Sequence, residues 1–269
     1  MVVLSVLRAQ LGMPPRRYLD LLRVLTERYV KVRYRGSFLG VYWSLLNPCI
    51  MTAIYTLILG HTFARYYNNS IVDYLESCFV GLVVINFFST STGHALPSVV
   101  SNSGLLNKIK LPPSLFPMSL MSASTFQLAV GVFPVLAIIT LVTSKSLLNV
   151  LLLVVPVFAL VLVSCGTALI VSMLYVFFRD IPYMYELLTF AFWVATPVFY
   201  PISIVDERYR FYLQLNPLTP IIQCIRELTL SARLPNLEIM AQGLLMGIFV
   251  ALFGWFAFRN RSALFMDYL

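Results

Sequence analysis

The sequence predicts an all-α, polytopic membrane protein with six transmembrane helices, and three observations carry that expectation. Hydrophobic residues fill 59% of the 269 positions and charged residues only 11%, whereas a soluble domain carries about a quarter charged residues. The charges are confined to short islands that leave six charge-free tracts: Ser37–Ala64, Ser77–Asn107, Pro113–Thr143, Ser146–Phe178, Leu187–Val205 and Ile239–Phe258. About 20 apolar residues in a helix cross a hydrocarbon core about 30 Å thick, and a helix satisfies its own backbone polar groups there. The tracts also lack the alternation of barrel strands.

Topology follows from the basic residues. With six spans and an inside N-terminus, the inner side holds thirteen: Arg8, Arg16, Arg17, Arg23, Arg28, Lys31, Arg33, Arg35, Lys108, Lys110, Arg179, Arg259 and Arg261. The outer side holds six: Arg65, Lys145, Arg208, Arg210, Arg226 and Arg233. This asymmetry satisfies the positive-inside rule and puts both termini in the cytoplasm. The net charge of +8 is therefore read as a topology signal, and no nucleic-acid partner is expected. The expected organisation is a cytoplasmic N-terminus with an interface helix (1–36), a six-span domain (37–258) and a cytoplasmic C-terminus (259–269). Within the span domain lie an inner loop at 101–117 and an outer re-entrant segment at 200–238.

Met1 to Met13 is not read as a signal peptide, because Arg8 interrupts a run already too short to span. Pro14-Pro15 then opens an amphipathic helix. Tyr18, Leu22, Leu25, Tyr29 and Val32 share one face, and Arg16, Asp20, Arg23, Glu27 and Lys31 share the other. The expected placement is in the membrane plane, apolar side in lipid and basic side toward water or anionic headgroups. Gly36 frees the chain to turn into the first span. The inner loop, Gly104 to Pro113, is one or two short amphipathic turns closed by a double proline. Spans three and four, joined by a narrow hairpin at Thr143 to Ser146, are expected to be lipid-facing scaffold. Span five is short, interrupted by Pro197 and Pro201 and rich in rings: Phe190, Phe192, Trp193, Phe199 and Tyr200. Asp206 to Glu238 mixes charges with apolar turns and reads as short helices dipping back into the outer leaflet, a pointer to the translocation path. Gly36-xxx-Gly40 and Gly243-xxx-Gly247 are candidate close-approach motifs.

The chemistry that is missing narrows the function. Midplane positions carry almost no ionisable groups, which argues against an ion-coupled carrier. No paired carboxylates or His–Ser arrangement support an intramembrane enzyme. Cys49, Cys78, Cys165 and Cys224 are dispersed, as are His61 and His94, so no metal site is expected. A nucleotide-binding P-loop needs Gly immediately before its Lys. The lysines here, Lys31, Lys108, Lys110 and Lys145, follow Val30, Asn107, Ile109 and Ser144. Any ATP-driven motor must therefore be another polypeptide, and no cofactor is expected in this chain. What remains is aromatic surface: Tyr42, Trp43 and Tyr55 in span one, Phe87 and Phe88 in span two, and Trp193, Phe199 and Tyr200 in span five. Rings with scattered Asn, Ser and Thr suit sugars, which present apolar C–H faces edged by hydroxyls.

At this level the motifs carry a resemblance. Tyr34-Arg-Gly-Ser-Phe-Leu-Gly-Val-Tyr-Trp-Ser-Leu-Leu-Asn-Pro48 resembles the approach to the first span in the ABC-2 type polysaccharide-exporting permeases, the Wzm family of O-antigen exporters. Val176-Phe-Phe-Arg-Asp-Ile181, Trp193-Val-Ala-Thr-Pro-Val-Phe-Tyr-Pro201 and Asn216-Pro-Leu-Thr-Pro220 resemble that family's span-four end, span five and outer re-entrant region. Together the landmarks cover roughly residues 15 to 258, and teichoic-acid exporters share them. The resemblance implies a homodimer of permeases within a heterotetramer with two nucleotide-binding ATPase subunits, which hold ATP and Mg. It implies export of a polyprenyl-pyrophosphate-linked polysaccharide across the bacterial inner membrane. Contacts with the ATPase are implied at Tyr18–Arg35 and Gly104–Pro113, with Arg23, Glu27, Leu105, Leu106, Asn107, Lys108 and Lys110 as the coupling residues. Arg28, Lys31, Arg33 and Arg35 are candidates for the lipid pyrophosphate, and the eight rings above for the polysaccharide path. The sequence departs from the family after the loop lysine, where Lys110-Leu-Pro-Pro-Ser-Leu replaces a Phe-Pro-Arg-like step. The rival classes are an ATP-independent channel or scaffold, and a membrane enzyme acting on polyprenyl-linked lipids.

Overall fold

The computed structural model describes residues 14–109, 111–231 and 235–269, and every regular element among them is helical. The elements that carry the fold are α1 (Pro15–Tyr34), α2 (Gly40–Tyr66), α3 (Ile71–Ser101), α4 (Leu115–Ser144), α5 (Leu147–Phe177), α6 (Ile181–Ala195), α7 (Glu207–Gln214), α8 (Leu218–Leu230) and α9 (Leu237–Ser262). Among the described residues, α2, α3, α4, α5 and α9 are long and apolar enough to cross a membrane; α6 is apolar but only 15 residues long. One end of the bundle carries α1, the α3–α4 connection and the C-terminal turn Phe265–Tyr268. The other carries the α2–α3 turn, the α4–α5 hairpin and α8.

Local chemistry sets the helix boundaries. Ser70, Ser146 and Asn236 cap α3, α5 and α9 by accepting bonds from the backbone N–H groups of Asp73, Asn149 and Glu238. Lys145 takes the left-handed conformation at φ +53° to close the expected hairpin between α4 and α5. The tract read as Leu187–Val205 is shifted in the structure. Pro182, at a position where a missing N–H costs nothing, lets α6 begin at Ile181, so Glu186 lies inside the helix. The helix stops at Ala195 because Thr196 precedes proline and turns extended, with ψ 135°.

The buried centre is α3. Two thirds (67%) of its apolar window is enclosed by the rest of the chain, against 17% for α2 and for α9. α5, expected as lipid-facing scaffold, is mixed: 39% of its apolar window is enclosed, while Leu151, Val154 and Phe158 stay exposed. It packs on α9, α3, α4 and α8 and buries Ala159, Val163, Ala168 and Leu169. Hydropathy alone does not separate a helix surrounded by helices from one surrounded by lipid. The α5–α9 crossing is close because Gly166 and Gly254 face each other: a Cβ on Gly254 would stand 2.3 Å from the Gly166 carbonyl oxygen. Gly247 lies against Ala159 in the same seam, and Gly243 against Ile221 of α8. Gly36 and Gly40 have no such neighbour. They sit at φ +75° and +52° in the turn that leads from α1 into α2, so that pair serves the turn instead of a helix crossing.

α1 is helical over the expected residues, but its apolar face meets protein where lipid was expected. Tyr18 is buried and its hydroxyl is 3.3 Å from Ser114 Oγ; Thr26 Oγ1 reaches the Ser119 carbonyl at 3.4 Å, and Arg33 Nη1 donates to Gln127 Oε1 at 2.8 Å. These contacts climb α1 and α4 in step, so α1 follows α4 for about 20 Å. Leu22 and Leu25 pack with Leu115, while Val32 stays exposed. An amphipathic period reads the same whether the partner is a bilayer or another helix. Burial pushes the Tyr18 phenol above the usual tyrosine range, against the opposing bond to Ser114, so it stays a neutral hydroxyl.

Candidate functional site

Three regions collect the residues singled out by the sequence. The first is the exposed surface at the α1 end. Arg23 and Glu27 are exposed and paired at 3.1 Å, with Lys31 on the same carboxylate at 3.8 Å. After the short turn Ser103–Leu106, Asn107 and Lys108 are exposed. Leu105 is half-buried and Leu106 is only 6% exposed, packed with Val99, Phe116, Phe258 and Phe265. Leu106 therefore anchors this loop from beneath and offers no face to a partner. Lys110 lies outside the described residues. Asn102 Nδ2 donates to the Tyr29 hydroxyl at 3.4 Å, tying the loop to α1.

The second region is a cavity of about 340 Å³ between the end of α1 and helices α2, α3 and α4. Along α3 its lining runs from Val83 to His94, about 16 Å of helix. Arg33, Trp43 and Phe87, assigned from sequence to separate tasks, all line it. So do Asn47, Asn86, Thr90, His94, Ser124 and Gln127, which the sequence reading did not select. Two backbone irregularities border this space. Pro48 inside α2 leaves the Ser44 carbonyl without its helical donor. In α4 a π-turn at Leu128–Val132 follows Gln127 directly and precedes Pro134, the kind of interruption that marks functional sites in long helices. The signal that would have found these residues is amide chemistry: Asn86 and Gln127 are unsatisfying choices for a helix that meets only lipid. Of the other candidate phosphate contacts, Arg28, Lys31 and Arg35 are exposed and line no part of this cavity.

The third region lies along α6 and the break that follows it. Tyr55, Trp193 and Phe199 form one aromatic cluster, with ring centroids 3.9 Å apart for Tyr55–Phe199 and 5.0 Å for Trp193–Phe199. A groove of about 460 Å³ between α3 and α6, lined by Ser89, Tyr185, Glu186, Thr189, Phe190 and Trp193, leads toward it. Tyr185 bonds Thr92 across that groove. The remaining rings disperse. Phe88 is buried against Phe192, Tyr42 is exposed near the α1 end, and the Tyr200 hydroxyl reaches the Ala195 carbonyl at 3.4 Å. Tyr55, Trp193 and Phe199 thus stand together, and Phe88, which follows the cavity-lining Phe87, packs beside them through Phe192. Arg226, counted from sequence as an outer-loop charge, is buried inside α8. Among the described residues no three His, Cys, Asp or Glu side chains converge.

Among the described residues, five membrane-length apolar helices with a cavity between them define a polytopic membrane protein. The chain belongs to the ABC-2 type transporter family, whose family model matches residues 20–230. Among curated relatives it is 30% identical to the O-antigen export system permease protein RfbA of Myxococcus xanthus, over 82% of this chain and 85% of that protein. It is 28% identical to the O-antigen export system permease protein RfbA of Klebsiella pneumoniae, over 93% and 95% of the two chains. The polysialic acid transport protein KpsM of Escherichia coli is 23% identical over 84% of this chain and 88% of its own length.

Proposed function

We propose that this protein is the permease subunit of an ABC exporter that moves a polysaccharide across a bacterial inner membrane, with ATP hydrolysis in a separate subunit. The observation that carries this reading is the alignment of relatives named for polysaccharide export over 82–93% of the chain. In this reading α6 is the sixth, shortened span, α8 is a helix returning into the outer leaflet, and both termini are cytoplasmic. Two permeases assemble with two ATPase subunits, whose ATP and Mg power the cycle.

The coupling surface is the exposed part of the α1 end, Arg23, Glu27, Asn107 and Lys108, with Leu105 and Leu106 as the anchor; Lys110, two residues on in the sequence, is assigned to the same task. Force applied to this loop reaches α3 and α4 directly, because the loop joins them, and reaches α1 through Tyr29. The substrate is lipid-linked, and its phosphate end is drawn to the basic segment Arg28, Lys31, Arg33 and Arg35. Arg33 is the member placed to meet it inside the cavity, beside amides that suit the adjoining sugar. Trp43 and Phe87 in the cavity, and Tyr55, Trp193 and Phe199 beyond it, offer sugar rings weak stacking contacts that permit sliding.

The test is co-purification with the ATPase subunit encoded beside the gene, followed by ATP hydrolysis with and without the permease. A stable complex whose hydrolysis changes in Asn107→Ala and Lys108→Glu variants supports the reading. A permease that binds no ATPase and moves solute without nucleotide returns the channel class. Chemical turnover of a polyprenyl-linked lipid by the purified chain returns the enzyme class.

A further inference from the structure

Arg226 is 9% exposed, and among the described residues no carboxylate lies within ion-pair distance of it. A guanidinium enclosed in this way is costly unless fixed dipoles replace its water. Two backbone carbonyls do so: Nε donates to Ser77 of α3 at 3.1 Å and Nη2 to Val198 at 2.7 Å. Ser77 belongs to a continuous helix. Val198 does not; it follows Pro197 in the extended break after α6, where no helical N–H serves its carbonyl. The same break is held at two further points. Asn216 Nδ2 donates to Thr196 Oγ1 at 2.8 Å, and the Tyr74 hydroxyl donates to the Phe199 carbonyl at 3.2 Å.

Phe199 follows Val198 in the chain, and its ring lies on Tyr55. Fixing the Val198 carbonyl therefore fixes where that ring points. Gly81 supplies the space for this arrangement: a Cβ there would stand 3.0 Å from Val198 Cα and 3.1 Å from Arg226 Nη2. We infer that Arg226 is a positioning residue that pins the break after α6 to α3, and so holds the Phe199 ring against Tyr55 to close the sugar path at rest. The closing role rests on the export reading above; the pinning role does not, and the two are measured separately.

The permease is prepared with its four native cysteines replaced by alanine, Tyr55→Cys and Phe199→Cys introduced, and short bifunctional thiol cross-linking read in membranes. Arg226→Met removes the charge and keeps the bulk. It is expected to lower the cross-link yield by about tenfold or more, the shift that loss of a charge-assisted hydrogen bond produces. Arg226→Lys, a compact point charge without the rigid planar fork of Arg, is expected to restore part of that yield. In the cysteine-containing protein, vesicles carrying the permease without ATPase are loaded with a labelled neutral oligosaccharide. Arg226→Met is expected to raise its resting leak several-fold. Gly81→Ala, which leaves Arg226 in place and crowds Val198, is expected to give both effects. Unchanged cross-linking in both variants overturns the pinning. Reduced cross-linking with no change in leak keeps the pinning and overturns the closure. If both variants fail to insert, the site is a folding element and the positioning role is withdrawn.

Discussion

Arg33 and Arg226 occupy opposite ends of the same bundle. Arg33 is half-exposed, donates to the side-chain amide of Gln127 and lines a cavity bordered by a helix-breaking proline and a π-turn. Arg226 is enclosed and bonded to the backbones of two elements far from it in sequence. A charge held by one adaptable side chain beside empty space is available to a ligand; a charge held by two main-chain carbonyls is committed to architecture. The surroundings agree: the α1 end has a cavity edged by Asn86, Thr90 and Gln127, whereas the break after α6 is satisfied at Thr196, Val198 and Phe199. The difference teaches that residue type gives no guide to use here, since both are arginines near a span boundary.

Substitution sharpens that contrast. Arg226→Ala gives the largest loss of stability, about 3–6 kcal/mol for two charge-assisted hydrogen bonds, read as a fall in thermal unfolding midpoint in detergent. Leu106→Ala follows at about 2–4 kcal/mol, a buried large-to-small change. Its exposed neighbour Asn107→Ala leaves the midpoint unchanged and lowers only partner-dependent ATP hydrolysis. Arg33→Gln costs about 1 kcal/mol or less, the range of one half-exposed hydrogen bond, yet cuts export several-fold in a cell-surface polysaccharide assay. Equal midpoint losses for the Arg33 and Arg226 variants would erase the distinction between them. Glu27→Gln is the smallest effect, below about 1 kcal/mol, because its two ion pairs are exposed.

Much of the fold was legible because long apolar tracts leave a helix no alternative. The N-terminal amphipathic helix, the hairpin at Lys145 and an interruption at Pro197 were all readable from local rules, although the helix before Pro197 begins earlier than its charge-free tract. What the sequence left out is the identity of each helix's neighbours. The apolar face of α1 carried no mark saying that Ser114 and Leu115, and not lipid, would cover Tyr18. α5 was as hydropathic as any lipid-facing span, although Gly166 held a clue to its tight packing. The site divided along the same line. Arg33, Trp43 and Phe87 were selected individually, but their convergence with Asn47, Asn86, His94 and Gln127 depends on three helices meeting. Leu106 was grouped with Asn107 and Lys108 by sequence adjacency, and only packing separates the anchor from the exposed pair.

The central claim is that this chain moves polysaccharide only when a separate subunit hydrolyses ATP. The most direct measurement uses inverted inner-membrane vesicles containing the permease and its ATPase, supplied with lipid-linked polysaccharide bearing a labelled sugar end. Protection of the label from an added glycosidase is then followed with time. The account predicts ATP-dependent protection that is abolished by omitting either subunit and reduced several-fold by Arg33→Gln. Protection that develops at the same rate without the ATPase, or without ATP, would contradict it.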